Sequence, residues 1–293
     1  MIAIIIQTII AILEMSSVLS IAAFGQLLSQ KSGVFNLGIE GIMAFGGVFA
    51  VLGYSIGLGP WLSLLLGFLA GILFGMLLSL LSERLKLNQI VVGFGLWLLA
   101  SGLAGFLYAM ILAPQAIVIK PIDAVLFSLD PVFYLSLAIF VCLVFFFSKT
   151  RRGLAVKAVG ENPRAADTTG IDVERTRWIC NMIGSGLIGL AGAYLAIDVL
   201  QGFTYTMVSG YGWIAFALVI FGRWETHYVF LGSFVFTATT AIATRLEILG
   251  IAILPPSFVV YLPHIAVIIG LTLAMALGKK MGMPAALGQP YER

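Results

Sequence analysis

The chain has 293 residues, of which 61% are hydrophobic and 10% are charged, and its formal net charge is +3. A soluble domain carries about 25% charged residues, so this composition excludes a large soluble globule and indicates a protein that crosses a membrane several times. The small basic excess is explained by loops that face the cytoplasm, and it gives no reason to expect nucleic-acid binding. Cys142 and Cys180 lie in predicted spans without metal-ligand or redox spacing, so neither a metal site nor a disulfide framework is expected.

The first apolar stretch, residues 2–28, is long enough to span a bilayer and contains Glu14. A carboxylate in lipid costs free energy unless it faces protein or water, so Glu14 is expected to point into the bundle. The alternative is a break near Glu14 that leaves the first residues at the membrane surface.

The second stretch, residues 33–59, is rich in glycine and holds Asn36 and Glu40 at apolar depth. On a helix these two residues, which are four positions apart, would share one face. Glycines allow close helix packing, and they also allow a broken helix where the backbone is buried in protein or lines a cavity. The segment is therefore interpreted either as part of a solute pathway or as a tight helix crossing that satisfies the polar pair internally.

Further apolar runs follow, and the shortest of them, 213–221, is interpreted as half a span or a tilted one. They cover residues 60–81, 88–109, 128–148, 179–200, 213–221, 228–246 and 257–277. The predicted fold class is all-α, a polytopic transmembrane helix bundle of about nine spans, or about eight to ten, with broken or re-entrant glycine-rich segments. The whole chain, residues 1–293, is predicted to form one transmembrane domain.

Basic loops predict the orientation of this bundle, because loops rich in Lys and Arg stay on the cytoplasmic side. The basic loops are 82–88, 149–178, 222–226 and the stretch after 278. If all of them are cytoplasmic, the N-terminus lies outside and the C-terminus lies inside.

Residues 149–178 form the one long polar stretch, with seven of the sixteen Lys and Arg residues of the chain. A short helix is predicted within it, since Asn162 is a suitable N-cap, Pro163 fits the first helical position and Gly170 ends the helix. A helix of about seven residues is not stable alone in water, so it must dock on something. It either lies on its own membrane domain or forms a docking peg for a cytoplasmic partner.

The sequence contains no P-loop, no H-E-x-x-H and no G-x-S-x-G pattern, so no catalytic residue is assigned. The acids inside predicted spans are too few for a proton relay. His227 is expected at the surface, and His264 is expected in a hydrogen bond between helices. These patterns indicate a membrane channel or carrier that docks a cytoplasmic partner and has no energy source of its own.

Five segments, in unbroken order, resemble the membrane-spanning permeases of bacterial ABC importers. They are SGVFNLGIEGIM (32–43), LNQIVVGF (87–94), VGENPRAADTTGI (159–171), GLIGLAGAYLAI (186–197) and IAFALVIFGRW (214–224). The group is the branched-chain amino acid and ribose permease superfamily, and the resemblance spans residues 16–275. Within it, NLGIEG and the GRW turn are most similar to the shorter permease of nucleoside importers that work with a basic membrane lipoprotein.

The resemblance implies a transport subunit, not an enzyme, in the inner membrane of a bacterium, surrounded by lipid. Its implied partners are a second and longer permease, two ATP-binding subunits, and a lipoprotein or periplasmic protein that delivers the solute. The chain itself then holds no cofactor, because ATP and magnesium bind to the partner subunits.

The resemblance also implies that the short cytoplasmic helix is a coupling helix, which sits in a groove of the ATP-binding subunit. The implied coupling residues are Gly160, Glu161, Asn162, Pro163, Arg164, Ala165, Ala166, Asp167 and Gly170. Polar and aromatic residues of the signature segments are candidates for the solute pathway, since a nucleoside base can stack on an aromatic ring. These candidates are Phe35, Asn36, Glu40, Phe45 and Trp213.

Two residues depart from the family pattern, Thr226 in place of a proline and His264 in place of an aromatic residue. Neither lies in the coupling segment, so neither departure contradicts the resemblance to ABC permeases. Each concerns the identity of the cargo or the bend of a helix. Branched-chain amino acids and simple sugars remain alternative cargoes. A carrier driven by an ion gradient, with Glu14 or Glu40 essential, is the main alternative mechanism, and a membrane scaffold without transport ranks last.

Overall fold

The structure is a computed structural model that describes residues 2–115, 117–125, 128–204, 206–248 and 282–291, together with residues 265, 269 and 272. The predicted last span, 257–277, and His264 therefore lie outside the described residues except at those single positions. The regular elements of the described part are helices. They are α1 (Ile2–Lys31), α2 (Ile39–Ser55), α3 (Gly59–Ser79), α4 (Gln89–Leu107), α5 (Pro131–Lys149), α6 (Arg151–Glu161), α7 (Pro163–Thr168), α8 (Val173–Tyr194), α9 (Tyr211–Phe221) and α10 (Thr226–Ile248).

Three helices continue into a π-helical turn, namely α3, α4 and α8. The turns are Leu80–Arg84, Tyr108–Leu112 and Leu195–Val199. With these extensions, the described part contains five helices long and apolar enough to cross a membrane, in addition to the shorter apolar helices α2 and α9. The prediction of an all-α, polytopic membrane protein is confirmed.

Helix α8 is the centre of the bundle and packs against α1, α2 and α3. Its glycines lie where neighbouring backbones approach it directly. A Cβ atom on Gly184 would overlap the carbonyl of Gly25 in α1, and one on Gly189 would overlap the carbonyl of Gly67 in α3. A Cβ on Gly192 would overlap a backbone carbonyl of α2. This small-residue face allows α8 to contact three helices at backbone distance.

The glycine-rich segment 33–59 is interrupted and not helical throughout, which agrees with the broken-helix interpretation. Helix α2 begins only at Ile39, so the expectation that Asn36 and Glu40 share a helix face is wrong. The reason is local, because the Asn36 side chain accepts a hydrogen bond from the backbone N–H of Gly38 (3.0 Å) and holds the chain in a turn.

The polar stretch 149–178 contains more helix than the sequence interpretation assigned to it. Thr150 caps α6 by accepting a hydrogen bond from the N–H of Gly153 (2.9 Å). Asp172 caps α8 through the N–H of Arg175 (2.9 Å), so the helix expected after residue 178 begins at Val173. The polar residues after 172 therefore belong to a membrane helix and not to a loop.

Candidate functional site

The predicted cytoplasmic helix is present as α7, with the predicted signals at both ends. The Asn162 side chain accepts a hydrogen bond from the N–H of Ala165 (3.0 Å), and Pro163 is the first helical residue. At the other end, the N–H of Gly170 bonds to the carbonyl of Asp167 (2.9 Å). Gly170 has φ +87°, a conformation that glycine adopts without strain. The N-cap, the first residue and the terminating glycine are confirmed as structural signals.

One face of α7 is held by the protein and the other is open. Ala166 is buried in a small apolar cluster with Val159, Val173 and Tyr291. On the open side, five of the predicted coupling residues are exposed, whereas Pro163 and Asp167 are partly buried. The exposed ones are Glu161, Asn162, Arg164, Ala165 and Gly170. The helix therefore presents side chains outward from a fixed base.

The base includes Gly160, the first of the predicted coupling residues. It is buried against the end of α1, where a Cβ atom would overlap the carbonyl of Lys31. This close approach ties the end of α6, and hence α7, to the first membrane helix.

A buried ion pair near the start of α8 joins several parts of the chain. The guanidinium of Arg177 in α8 contacts the carboxylate of Glu83 at 3.0 Å, and both side chains are at most 1% exposed. Arg177 also donates to the carbonyls of Ser32 (3.1 Å) and Gln289 (3.1 Å), and Glu83 accepts from the side chain of Gln89 (3.0 Å). Buried charges are tolerated when they are paired and hydrogen-bonded in this way.

Among the pathway candidates, Asn36 is fully buried, and its polar groups are engaged inside the protein. Besides the bond to Gly38, its amide nitrogen donates to the hydroxyl of Ser185 (3.2 Å) in α8. Its backbone carbonyl accepts from the side chain of Gln26 (3.0 Å) in α1. Asn36 therefore fastens the turn before α2 to two membrane helices.

Glu40 joins two helix ends. It lies in the first turn of α2, and its carboxylate accepts hydrogen bonds from the backbone N–H groups of Gly210 (2.6 Å), Gly212 (2.8 Å) and Trp213 (3.3 Å). These N–H groups begin α9 and have no partner within that helix. A carboxylate at a helix N-terminus is also favoured by the helix dipole. Glu40 thereby fixes the start of the half-length helix α9, although part of its side chain remains exposed.

The aromatic candidates separate into two environments. Phe45 is 4% exposed and packs against Phe49 and Phe74, with ring centroids 4.6 and 4.8 Å away. Trp213, in contrast, is partly exposed and meets Trp97 at a centroid distance of 5.6 Å. Phe45 occupies a packing position, and Trp213 belongs to a surface.

That surface is a partly exposed aromatic cluster at the start of α9, close to Glu40. Its members contact one another edge-on or tilted, and Phe94 is the most exposed at 42%. The members are Phe35, Phe94, Trp97, Trp213 and Phe216. Sequence reasoning found Phe35 and Trp213 but missed the other three, although LNQIVVGF already ends on Phe94.

Comparison with known proteins identifies the family. The model of the branched-chain amino acid transport system / permease component family matches residues 8–258. The chain belongs to this family. The match covers α1 from residue 8 and all of α2 to α10. It includes both the predicted coupling segment and the aromatic cluster, so the permease carries its candidate sites within the family region.

Individual relatives of the permease cover nearly its whole length. The nucleoside ABC transporter permease protein NupC of Lactococcus lactis subsp. cremoris is 33% identical, over 94% of this chain and 93% of its own. The guanosine ABC transporter permease protein NupQ of Bacillus subtilis is 31% identical, over 96% and 95%. A protein of Haloferax volcanii with the provisional name of glucose ABC transporter permease protein TsgC13 is 28% identical, over 97% and 96%. The permease is thus related both to nucleoside permeases and to a protein named for a sugar.

Glu14, Asp130 and Asp198 are acidic residues of the described part that lie away from α7, and His227 lies at the surface. Glu14 is partly buried and lies close enough to Asp130 for the two charges to interact. Asp130 itself accepts a hydrogen bond from the hydroxyl of Tyr194 (2.5 Å). Asp198 accepts from the N–H of Ile122 (2.6 Å) and fastens the loop before α5. His227 is exposed beside the ring of Phe140, as expected for a surface residue. Within the described ranges, no group of three or more His, Cys, Asp or Glu side chains is arranged to hold a metal ion.

Proposed function

We propose that this permease is one transmembrane half of an ABC importer that takes up a nucleoside. The observation that carries the proposal is the capped and outward-facing helix α7, within a chain whose relatives NupC and NupQ are named as nucleoside and guanosine permeases. A short helix that is packed on one face and exposed on the other is suited to transmit a movement of a docked subunit to the membrane helices.

In the proposed cycle, separate ATP-binding subunits bind ATP and magnesium and close upon each other. Their movement is passed to α7 through its exposed side chains, of which Arg164 offers a guanidinium for a charged contact. The bundle then alternates between outward and inward access. A second and longer permease completes the pathway, and a lipoprotein or periplasmic protein delivers the nucleoside.

The proposed solute path runs along the aromatic cluster at the start of α9. Trp213 and Trp97 present partly exposed ring systems on which a base can stack. Glu40 keeps this end of α9 in place by its three backbone hydrogen bonds. Asn36 and Phe45 do not line the proposed path, since both are buried, and they stabilise the segments next to it by packing and hydrogen bonds.

The proposed topology has about nine crossings, counting α2 and α9 together with the long helices and a span after α10. The N-terminus then faces outward, and α6, α7 and the residues after 278 face the cytoplasm of a bacterium, in agreement with the distribution of basic loops. This places the ATP-binding subunits directly below α7.

A sugar is the second candidate cargo, because the relative TsgC13 is named for glucose. A branched-chain amino acid is the third, from the description of the family. A carrier that works alone on an ion gradient is disfavoured by one contact set, since the Glu40 carboxylate is held by three backbone N–H groups.

The first test is purification of the permease from its native membrane, followed by an ATPase assay with candidate ligands. We expect ATP-binding subunits and a second permease to co-purify, and a nucleoside-loaded binding protein to stimulate hydrolysis. Stimulation by a sugar or an amino acid instead would mean that this compound, and not a nucleoside, is the cargo. A permease that purifies alone and moves solute down an ion gradient would contradict the importer.

A charge reversal tests the role of α7. In the purified complex, Arg164→Glu should lower ligand-stimulated ATP hydrolysis about tenfold or more, as the loss of a central charged contact does in other interfaces. Lys120→Glu is the matched control, because Lys120 is also exposed but lies in the loop before α5, on the opposite side in the proposed topology. Normal stimulation in Arg164→Glu, with the permease inserted, would show that α7 does not couple.

A further inference from the structure

The C-terminal segment of the described residues, 282–291, returns to the coupling helix and forms a groove with it. The groove has a volume of about 440 Å³. One wall consists of residues at the start of α7 and the other of residues from the C-terminal segment. The lining residues are Glu161, Asn162, Pro163 and Arg164 on the first wall, and Ala285, Ala286, Gln289, Pro290 and Tyr291 on the second.

The second wall is bonded directly to the end of α6. The N–H of Ala286 donates to the carbonyl of Gly160 (2.9 Å), one of the last carbonyls of that helix. The N–H of Ala285 reaches the carboxylate of Glu161 (3.4 Å). The segment therefore satisfies groups at a helix end that has few partners of its own.

The same segment is bonded to three further parts of the chain. The N–H of Gly288 donates to the carbonyl of Gly33 (3.1 Å), in the turn before α2. The carbonyl of Gln289 accepts from Arg177, and the carbonyl of Tyr291 accepts from the amine of Lys86 (2.5 Å). These contacts fix the backbone, while the side chains of Ala285 and Gln289 stay exposed on the groove.

We propose that the docking surface for the ATP-binding subunit is composite, and that residues 285–291 of the C-terminal segment supply its second wall beside α7. The proposal rests on the importer function proposed above and adds a part of the surface that the coupling segment alone does not contain. A subunit seated on α7 reaches the second wall at the same time, since both walls border one groove.

The groove also indicates what kind of surface enters it. Its rim carries a carboxylate from Glu161, a guanidinium from Arg164 and amides from Asn162 and Gln289, with small apolar side chains between them. It is suited to a polar segment of mixed charge on the partner rather than to an apolar helix. Such a rim provides orientation and specificity for the docked subunit.

Bulky substitutions on the second wall test the proposal in the assembled transporter. Ala285→Trp and Gln289→Trp each place a large ring in the groove from an exposed position. Met283→Trp is the matched control, because Met283 is 49% exposed in the same segment but does not line the groove. The readout is the amount of ATP-binding subunit retained by the tagged permease at limiting subunit concentration, after equal insertion and equal melting temperature in detergent are verified.

We expect both groove variants to weaken retention about tenfold, as blocked interface centres do, and Met283→Trp to retain the subunit like the wild type. If the groove variants bind normally while Arg164→Glu does not, the composite surface is overturned and the importer function stands. An equal loss in Met283→Trp would also overturn it, since the effect would not come from the groove. If the wild type itself binds no ATP-binding subunit, both proposals fall.

Discussion

The permease holds its interior together by a different principle from the polar region around α7. In the glycine-packed core, formed by α8 with α1, α2 and α3, backbones touch because glycines leave no side chain between them. In the polar platform, residues 151–171 with 282–291, the contacts are helix caps, backbone hydrogen bonds and charges. The core excludes added volume, and the platform depends on individual donors and acceptors.

The difference arises because the core is surrounded by lipid, whereas the platform is in contact with water. Apolar side chains gain little by leaving lipid for protein, so helices in a membrane associate through close packing over small residues. At the membrane edge water is present, and a six-residue helix such as α7 persists only because its ends are capped and its base is docked. The same chain therefore responds to an extra methyl group in one region and to a lost hydrogen bond in the other.

The largest effect is expected where the two regions meet, at the buried pair of Glu83 and Arg177. Glu83→Ala leaves a charged guanidinium in a site that is fully buried, with only the carbonyls of Ser32 and Gln289 as acceptors. Removing one partner of such a pair costs about 3–5 kcal/mol. We expect a large drop in the apparent melting temperature of the purified permease in detergent, or loss of the folded protein.

Glu174→Ala is the matched control for that variant, because Glu174 lies in the first turn of α8 and is exposed. Its removal should leave the melting temperature nearly unchanged. Adding Arg177→Met to Glu83→Ala should recover part of the loss, because the unpaired charge is then gone. No loss in Glu83→Ala would show that water or another group compensates Arg177, which would contradict the buried network.

The next effect is expected inside the glycine-packed core. Gly189→Ala puts a methyl group onto the backbone of Gly67 and Gly71, neither of which can move aside as a side chain does. Overpacking of this kind costs about 1–3 kcal/mol, measured as a lower melting temperature in detergent.

Gly102→Ala in α4 is the control, since a Cβ atom there has no neighbour within 4 Å. It should be neutral or stabilising by up to about 1 kcal/mol, because alanine is the better helix former. Equal destabilisation by both substitutions would mean that helix crossing distances do not explain the glycines of α8.

Much of this architecture was predictable from the sequence, because it is encoded locally. Long apolar runs gave the membrane helices, and Asn162, Pro163 and Gly170 defined the ends of α7 by their backbone preferences. The short run at 213–221 was correctly interpreted as too short for a full span. Each of these inferences needed only neighbouring residues.

The parts that were missed depend on residues distant in sequence. Arg177 and Glu83 are 94 positions apart, and nothing near either one indicates that both are buried. The helix face assigned to Asn36 was wrong because its side chain forms a local turn with Gly38, and its contact with Ser185, 149 positions away, could not be predicted from neighbouring residues. The C-terminal segment has no helical or strand pattern, so its place beside α7 appears only in three dimensions.

The smallest effect is expected at the cap of α7, and it discriminates most sharply between the two regions. Asn162→Ala removes the acceptor for the N–H of Ala165 and should destabilise the first turn by about 1 kcal/mol. Because Ala166 still anchors the helix, the melting temperature of the whole permease should change little. Faster hydrogen exchange confined to residues 163–168, together with reduced ligand-stimulated ATP hydrolysis, is the expected result.

Asn162→Asp is the matched control for the cap, since a carboxylate oxygen can accept the same hydrogen bond and suits a helix N-terminus. Compared with Asn162→Ala, this variant should keep the hydrogen-exchange protection of α7 and most of the ligand-stimulated ATP hydrolysis. If Asn162→Ala instead lowered the global melting temperature as much as Gly189→Ala, the platform would be part of the same cooperative unit as the core. In that case α7 could not move separately from the bundle, and a docked subunit would have to shift the membrane helices as one body.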